Sequence, residues 1–493
     1  MLIDILRIQD ICAIFILIIL YIMVGYRPPW LWKHIEKSQK TITDIPGPLS
    51  LPFLGTRWIY WFGNYSFTKV HEVYADLFLK YGPIVKEETL FNIPVISIVN
   101  RCDIEKVLKS SGKYPVRPPT EAIAYYRKSR PDRYASAGIV NEQGVVWHNL
   151  RSSLTSELTS PRTIGSFLPV IDQIVEEWCT SIRQQRISGK YINDLKPLAE
   201  QLGLEVTCAL VLGRRMGFLQ SDGPSPTARA LAVAVHEHFL ACRDTFYGLP
   251  FWKLWATPSY THLVQGEEAI YTLALELIET ANEETEESAI FQSVIRAAID
   301  NREKTAAIVD FIAAGIYTLG NSIVFLLHLM GSNRECQEKL LEDLNNGSTT
   351  YLKACINEAF RLIPTAYCLA RVSEQDLELS GYYIKAGTVL LCHAGLACQN
   401  NDNFEDAHLF KPDRWIAECK ATTFSTATYL VIPFGIGKRI CPGRRFVEQV
   451  LVSLLSNVVR EFHFTSMDEL KFQFEFLLAP KGPVAMNFLD KIM

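Results

Sequence analysis

The chain has 493 residues, and its 49 Lys and Arg residues against 53 Asp and Glu residues give a formal net charge of −4. This balance argues against nucleic acid as a partner, because nucleic-acid binding favours a strongly basic chain or face. Hydrophobic residues make up 48% of the chain and charged residues 21%, so the chain is not disordered and has ample length for a large core or a bulky cofactor. Its 12 cysteines include no Cys-x-x-Cys pair, which argues against a zinc ribbon and favours reduced thiols.

An apolar segment near the N-terminus predicts a membrane anchor. Residues 11–26 carry no charged side chain, although the segment is slightly shorter than the ~20 residues of a spanning helix. A cleaved signal peptide fits less well, because Asp4 and Asp10 interrupt the basic leading region that it requires. We therefore predict an uncleaved anchor in the lipid bilayer within residues 1–44, a proline-rich hinge over residues 45–52, and a globular body over residues 53–493.

Most of that body is predicted to be helical. Apolar residues recur at helical spacing over residues 160–212 and 262–298, whereas strand patterns are short, as at residues 94–99 and 382–391. Residues 311–333 contain no Asp, Glu, Lys or Arg and are long enough to cross a bilayer, but polar side chains interrupt them. A long helix in the core is therefore favoured over a second membrane span. The expected fold is one large, mainly α domain with small β-sheets.

The segment 433–443 carries the most specific chemical pattern, because three glycines flank the single residue Cys441. Glycines allow the backbone to approach a bound group closely. A helix is predicted over residues 444–462 with Pro442 in its first turn, so Cys441 lies where exposed amides favour a thiolate. A thiolate beneath a flat ring suits a haem iron, and Arg439 suits a haem carboxylate. The alternative is a structural cysteine in a Gly-rich turn.

Two further side-chain sets support a haem site. Glu358 and Arg361 share one helix face, and Arg414 lies in a loop that precedes the cysteine segment. A buried cluster of these three would stabilise the structure around a cofactor, although an ordinary helix pair is the simpler interpretation. Trp147 and Arg151 are four residues apart, so they can cover a ring edge and bind a carboxylate from one helix face.

The apolar segment 311–333 contains the pattern Ala314-Gly315-x-x-Thr318. Gly315 would leave room for dioxygen beside an iron, and the hydroxyl of Thr318 would order water and pass protons to bound oxygen. The alternative is that Thr318 only bonds back to its own helix, as mid-helix threonines commonly do.

Together these motifs resemble cytochrome P450, the family of haem-thiolate monooxygenases, in order and spacing from about residue 46 to the C-terminus. The resemblance implies that Cys441 is the axial ligand of haem b, and that Thr318 helps deliver protons. It also implies O2 as co-substrate and electrons from NADPH through a partner protein, with one oxygen atom entering a C–H bond and the other leaving as water. The haem contacts that it implies are Cys441, Trp147, Arg151, Arg371, Phe434, Gly435, Arg439 and Gly443.

Basic residues around the cysteine resemble those of the mitochondrial class, which implies a small acidic ferredoxin as electron donor, with NADPH cytochrome reductase as the alternative. They are Lys438, Arg444 and Arg445, with Lys353 on the Glu358 helix. Such a patch steers an acidic donor, although Asn357 stands where this class usually has a second lysine. The class implies the mitochondrial inner membrane, whereas the predicted anchor is of the endoplasmic reticulum type.

Residues 45–59, 71–77, 117–136 and 138–144 resemble arthropod ecdysone hydroxylases of this family, which implies the steroid ecdysone as substrate and 20-hydroxyecdysone as product. Family position implies that the pocket is lined by residues 117–140, 311–318, 364–367 and 477–480. Tyr317 departs from the family, which usually has an acid there; a tyrosine is neutral near pH 7. The open alternatives are a haem-thiolate enzyme acting on another lipid or on a peroxide without NADPH, and a catalytically silent haem-binding membrane protein.

Overall fold

The computed structural model describes residues 40–61, 63, 65–219, 226–282, 289–416 and 420–491. The predicted anchor over residues 1–44 lies almost wholly outside this part of the chain. Helices dominate the described residues. In chain order they are α1 (Trp58–Trp61), α2 (Val70–Tyr81), α3 (Arg101–Lys109), α4 (Glu121–Ser129), α5 (Gly138–Asn141), α6 (Gly144–Leu154), α7 (Pro161–Ser166), α8 (Leu168–Gln185), α9 (Lys196–Leu212), α10 (Pro226–Tyr247), α11 (Pro258–Asn282), α12 (Ala289–Arg296), α13 (Asn301–Gly331), α14 (Arg334–Asn345), α15 (Thr350–Leu362), α16 (Ala394–Ala397), α17 (Lys420–Ala427) and α18 (Arg444–Glu461).

Short strands form four small sheets. The strands are β1 (Lys40–Thr41), β2 (Ile84–Glu88), β3 (Pro94–Ile98), β4 (Tyr191–Ile192), β5 (Leu369–Val372), β6 (Leu377–Leu379), β7 (Tyr382–Ile384), β8 (Val389–Cys392), β9 (Phe462–Ser466), β10 (Phe472–Phe474), β11 (Leu478–Pro480) and β12 (Met486–Asp490). The largest sheet has the order β2-β3-β8-β5, and the others have the orders β1-β7-β6, β4-β12-β9 and β10-β11.

The long helix α13 runs through the centre of the largest core. Among the described helices it alone has the length and apolar composition of a membrane span, and 72% of its most apolar window is buried within the protein. Small residues let α9 approach it closely: a Cβ on Gly203 would lie 3.1 Å from the carbonyl oxygen of Gly315. This packing agrees with the core helix that the sequence favours for residues 311–333.

The predicted mainly α fold with small sheets is confirmed, and most predicted elements appear. Residues 94–99 give β3, but residues 382–391 give two strands of different sheets, since β7 pairs with β1 and β6 whereas β8 pairs with β3 and β5. The prediction that Pro442 lies in the first turn of a helix is wrong: α18 begins at Arg444 with Gly443 as its N-cap, so Pro442 precedes the helix.

The folded body already includes residue 40, because β1 pairs in parallel with Tyr382 and Tyr383 of β7. In the proline-rich segment, the backbone amide of Lys86 donates to the Pro46 carbonyl over 2.9 Å, and Ile45 is buried. The segment is therefore tied to β2 at its start, and its role as a hinge stays a prediction.

Candidate functional site

The loop before α18 presents Cys441 on a tightly folded backbone. The amide of Cys441 donates to the carbonyl of Phe434 over 2.8 Å, and Gly435 turns the chain with a φ of 74° that favours glycine. The backbone amides of Gly443 and Arg444 face the thiol. The free backbone amides at the start of α18 therefore face the sulfur atom, as the sequence predicted for a cysteine next to a helix N-terminus.

The thiol of Cys441 is accessible in the folded protein. Its side chain is exposed, although desolvation by the surrounding protein raises the pKa of its thiol, while the nearby amides and two arginines oppose that rise. On α13, which is largely buried, Ala314 is exposed and Thr318 is half-buried. The Thr318 hydroxyl donates to the Ala314 carbonyl over 2.6 Å.

Four arginines lie near one another, two of them close enough to act on Cys441, and we call Arg117, Arg151, Arg371 and Arg439 the arginine ring. Burial lowers the pKa of Arg439 to about 9, with help from the repulsion of the other three arginines. Burial, followed by repulsion from Arg371 and Arg151, likewise lowers the pKa of Arg117 to about 10. Two buried nitrogens of the ring, Arg371 Nε and Arg439 Nη1, have no hydrogen-bond partner. The ring is therefore built to receive anionic oxygens.

Neighbouring groups hold the ring in place without neutralising it. Arg439 donates through Nε to the Pro115 carbonyl over 2.9 Å, and its guanidinium carbon lies 3.8 Å from the centre of the Trp147 ring. Arg151 donates to the carbonyl of Ile440, next to the cysteine, over 2.8 Å. The cation–π contact and the carbonyl bonds orient the guanidinium groups but leave their positive charge available.

These residues fit a haem. The thiol suits an axial iron ligand, and the unpaired nitrogens of the arginine ring suit the two carboxylates that haem carries. When bound, the haem supplies the iron chemistry that activates dioxygen. Sequence reasoning placed Arg117 in the pocket lining and not among the candidate haem contacts, because it belongs to no motif with the cysteine. Its proximity to Cys441 appears only in the fold.

The predicted cluster of Glu358, Arg361 and Arg414 forms in the structure. Glu358 and Arg361 have fully buried side chains and make two hydrogen bonds of 2.9 Å. Arg414 Nε donates to the same carboxylate over 3.0 Å, and so does Trp415 Nε1 over 2.9 Å. The remaining donors of Arg361 bind the carbonyls of residues 398, 407 and 409. The cluster ties α15 to the loop that precedes the cysteine segment.

At Gly315, which the sequence predicts to leave room for dioxygen, the structure shows a packing requirement for glycine. A Cβ on Gly315 would lie 2.1 Å from Thr207 Oγ1 on α9, so a glycine is required for the crossing of α9 and α13. The role of Gly315 in leaving room for dioxygen stays a prediction. Tyr317 is buried, and its hydroxyl donates to the carboxylate of Glu475. Sequence reasoning missed Glu475, because a separation of 158 residues leaves no spacing signal.

Two of the predicted pocket segments meet beside α13. The amide of Leu478 donates to the carbonyl of Thr365 over 2.9 Å, and the Thr365 hydroxyl lies 3.1 Å from that of Ser322 on α13.

The four residues predicted to meet a redox partner are all exposed. They are Lys353, Lys438, Arg444 and Arg445.

Comparison with known proteins identifies the class of this site. Residues 45–488 match the family model described as Cytochrome P450, so the chain belongs to the cytochrome P450 family, and it is a haem-thiolate monooxygenase. The chain is 44% identical to the Ecdysone 20-monooxygenase of Drosophila melanogaster, over 93% of this chain and 90% of the relative.

Two further relatives carry mitochondrial names. Cytochrome P450 302a1, mitochondrial, from Drosophila melanogaster is 31% identical over 91% of this chain and 95% of its own length. The 1,25-dihydroxyvitamin D(3) 24-hydroxylase, mitochondrial, of Mus musculus is 25% identical over 88% of this chain and 86% of its own length.

Proposed function

We propose that the protein hydroxylates ecdysone to 20-hydroxyecdysone, using O2 and electrons from NADPH delivered by a partner protein. The observation that carries the proposal is the 44% identity, over nearly the whole chain, to a protein named for this reaction. The site chemistry is compatible, because the thiol of Cys441 is accessible and two nitrogens of the arginine ring have no hydrogen-bond partner.

The site residues divide into three roles under this proposal. Cys441 holds the iron, and Phe434, Gly435 and Gly443 shape the loop around it. Thr318, half-buried on α13 beside the exposed Ala314, positions a proton donor for the oxygen atom that leaves as water. The arginine ring would bind the haem carboxylates, and the Trp147 ring, which lies against Arg439, would cover them.

The Glu358 cluster acts at a distance from the chemistry. Glu358 holds Arg361 and Arg414 in one buried network, and the loop that carries Arg414 leads to the cysteine segment. Its role is to hold that loop in a fixed position, so that Cys441 is held where it would bind the haem iron.

The electron donor under this proposal is a small acidic ferredoxin. Lys353, Lys438, Arg444 and Arg445 are exposed, and a cationic surface beside the thiolate speeds association with an anionic partner. The mitochondrial names of two relatives point the same way, and they favour the mitochondrial inner membrane as the compartment. NADPH cytochrome reductase is the alternative donor to be tested in parallel.

The decisive experiment is mass-spectrometric analysis of ecdysone incubated with the purified protein, NADPH, a ferredoxin and its reductase. We expect a product one oxygen atom heavier that matches 20-hydroxyecdysone and is absent without NADPH. Cys441→Ala should abolish both the product and the spectrum of a thiolate-ligated haem. The matched control is Cys102→Ala, since Cys102 is also exposed but lies at the start of α3. No product from haem-loaded protein with either donor would overturn the substrate assignment.

A further inference from the structure

Three side chains form a hydrogen-bonded line on the side of α13 next to Thr318. The Tyr317 hydroxyl donates to Glu475 Oε2, and His236 Nε2 lies 3.0 Å from the same oxygen. The other carboxylate oxygen, Oε1, accepts from Gln473 Nε2. We call Tyr317, Glu475 and His236 the Glu475 relay. It joins α13, the β10–β11 hairpin and α10.

The relay spans the distance from solvent to the buried helix. The Glu475 side chain is 5% exposed, whereas that of His236 is 40% exposed. All three relay residues line a cavity of about 420 Å³ between α9, α10, α13 and the hairpin, together with Glu200 and Asn321. A cavity of this size that contains several polar side chains has room for water molecules, and the exposed part of His236 can exchange protons with solvent.

The geometry around the relay holds it rigidly. The Phe239 ring stacks on Tyr317 with a centroid distance of 5.0 Å and an interplanar angle of 25°, and the His236 ring lies 5.7 Å from Tyr317. The phenol is therefore fixed with its hydroxyl towards Glu475. A fixed line of donor and acceptor groups is what proton transfer requires.

The charges around the relay favour a proton on His236. Its hydrogen bond to Glu475 raises the pKa of His236, followed by the charges of Glu237 and Glu200, while burial opposes them. Burial raises the pKa of Glu200. The charged groups outside the relay that face it or line its cavity are Asp194, Lys196 and Glu200 from α9 and the residues before it, and Arg229 and Glu237 from α10.

We propose that Glu475 supplies protons to the oxygen side of α13, in place of the acid that the family usually has where this chain has Tyr317. In each transfer a proton leaves His236 Nε2 for Glu475 Oε2. Glu475 passes it to the Tyr317 oxygen as Tyr317 releases its own hydroxyl proton to water beside Thr318, and His236 regains a proton from solvent. Two such transfers supply the protons, and NADPH the two electrons, that form water from one oxygen atom. The proposal rests on the monooxygenase activity but not on the identity of the steroid.

The test compares Glu475→Gln with the wild type, because glutamine keeps the size and an acceptor oxygen but cannot carry the proton. We expect product formed per NADPH to fall by about 10-fold, less than the roughly 100-fold or larger effect of a fully lost acid, because water can partly replace a positioned acid. We also expect a larger solvent isotope effect. Glu475→Asp should recover part of the loss, and Tyr317→Phe should reproduce it. The matched control, Glu469→Gln, removes an exposed carboxylate that precedes the same hairpin and should behave as wild type.

A readout without turnover separates this proposal from the substrate assignment. Infrared difference spectra of the haem-loaded protein, recorded without steroid between H2O and D2O, should contain a band of the hydrogen-bonded Glu475 side chain that Glu475→Gln removes and Glu469→Gln retains. Absence of that band in the wild type would overturn the proposal. So would a Glu475→Gln protein with a lowered melting temperature but wild-type coupling and isotope effect, because the carboxylate would then only tie the hairpin to α13.

Discussion

The protein contains two groups of buried or half-buried arginines, and they differ in the charges that surround them. Arg361 and Arg414 share the carboxylate of Glu358, and the remaining donors of Arg361 bind backbone carbonyls. In the arginine ring, by contrast, the charges that act on Arg439 are those of three other arginines. Two buried nitrogens there are unpaired.

Under the proposed function, the difference separates a structural network from a binding site. A buried cation without an anion costs free energy unless something else supplies the negative charge. In the Glu358 cluster each arginine has a carboxylate partner within the chain. The arginines of the ring repel one another, and the two carboxylates of a haem would relieve that repulsion.

The largest effect is expected from breaking the complete cluster. Glu358→Ala should lower the free energy of unfolding by about 3–5 kcal/mol, because it leaves two buried arginines without their anion. Urea unfolding of the haem-loaded protein measures this change. Glu335→Ala, at an exposed position on α14, is the control and should change stability by less than about 0.5 kcal/mol. Equal effects of the two variants would contradict the buried-network interpretation.

Removing one arginine from the ring should act on haem retention. Arg371→Met removes a donor for a carboxylate, and a charge-assisted hydrogen bond contributes about 1.5–3 kcal/mol. We expect haem to leave the loaded protein about 10- to 100-fold faster, measured by transfer to an apo-globin acceptor. Arg444→Gln, whose exposed partner is Glu448, is the matched control. An unchanged rate for Arg371→Met would show that the ring does not bind the carboxylates.

Exposed cations outside both groups should affect only association. Arg445→Gln should raise the KM for ferredoxin by about threefold at low salt, with kcat and haem retention unchanged, because steering by surface charge is screened by salt. The difference from wild type should shrink at high ionic strength. If NADPH cytochrome reductase is the natural donor, the ferredoxin KM will not respond to this variant.

The smallest effect is expected on stability from the His236–Glu475 pair. Like the Glu358 cluster it joins a carboxylate to a cationic side chain, but His236 is partly exposed to solvent. Its partner raises the folded-state pKa of His236 above the ordinary value of 6.5. The stabilisation is therefore complete below pH 6.5 and is lost as the pH rises through the raised pKa. We expect the stability difference between wild type and His236→Gln to stay below about 1 kcal/mol after solvent screening and to shrink with rising pH. Melting temperatures at several pH values measure it, and a difference that grows with pH would contradict the pairing.

Much of the site could be predicted because its parts are local in sequence. The glycines around Cys441, the i, i+3 pair of Glu358 and Arg361, and the pair of Trp147 and Arg151 each lie within one loop or one helix turn. Local spacing cannot show what a side chain meets across the fold. Arg117 joins the arginine ring from a loop far from Cys441, and Glu475 reaches Tyr317 from the C-terminal hairpin.

The sequence by itself determined the family and the mainly α fold and pointed to Cys441 as the candidate iron ligand, because helical periodicity and the glycine-flanked cysteine are properties of short stretches. The tertiary structure decided which charges are balanced. Whether an arginine is neutralised depends on the carboxylates that the folded chain brings within about 4 Å of it, and distant segments supply those partners. It likewise decided that Tyr317, neutral in itself, lies against a carboxylate, because only the packing of β10 and β11 on α13 brings the two together.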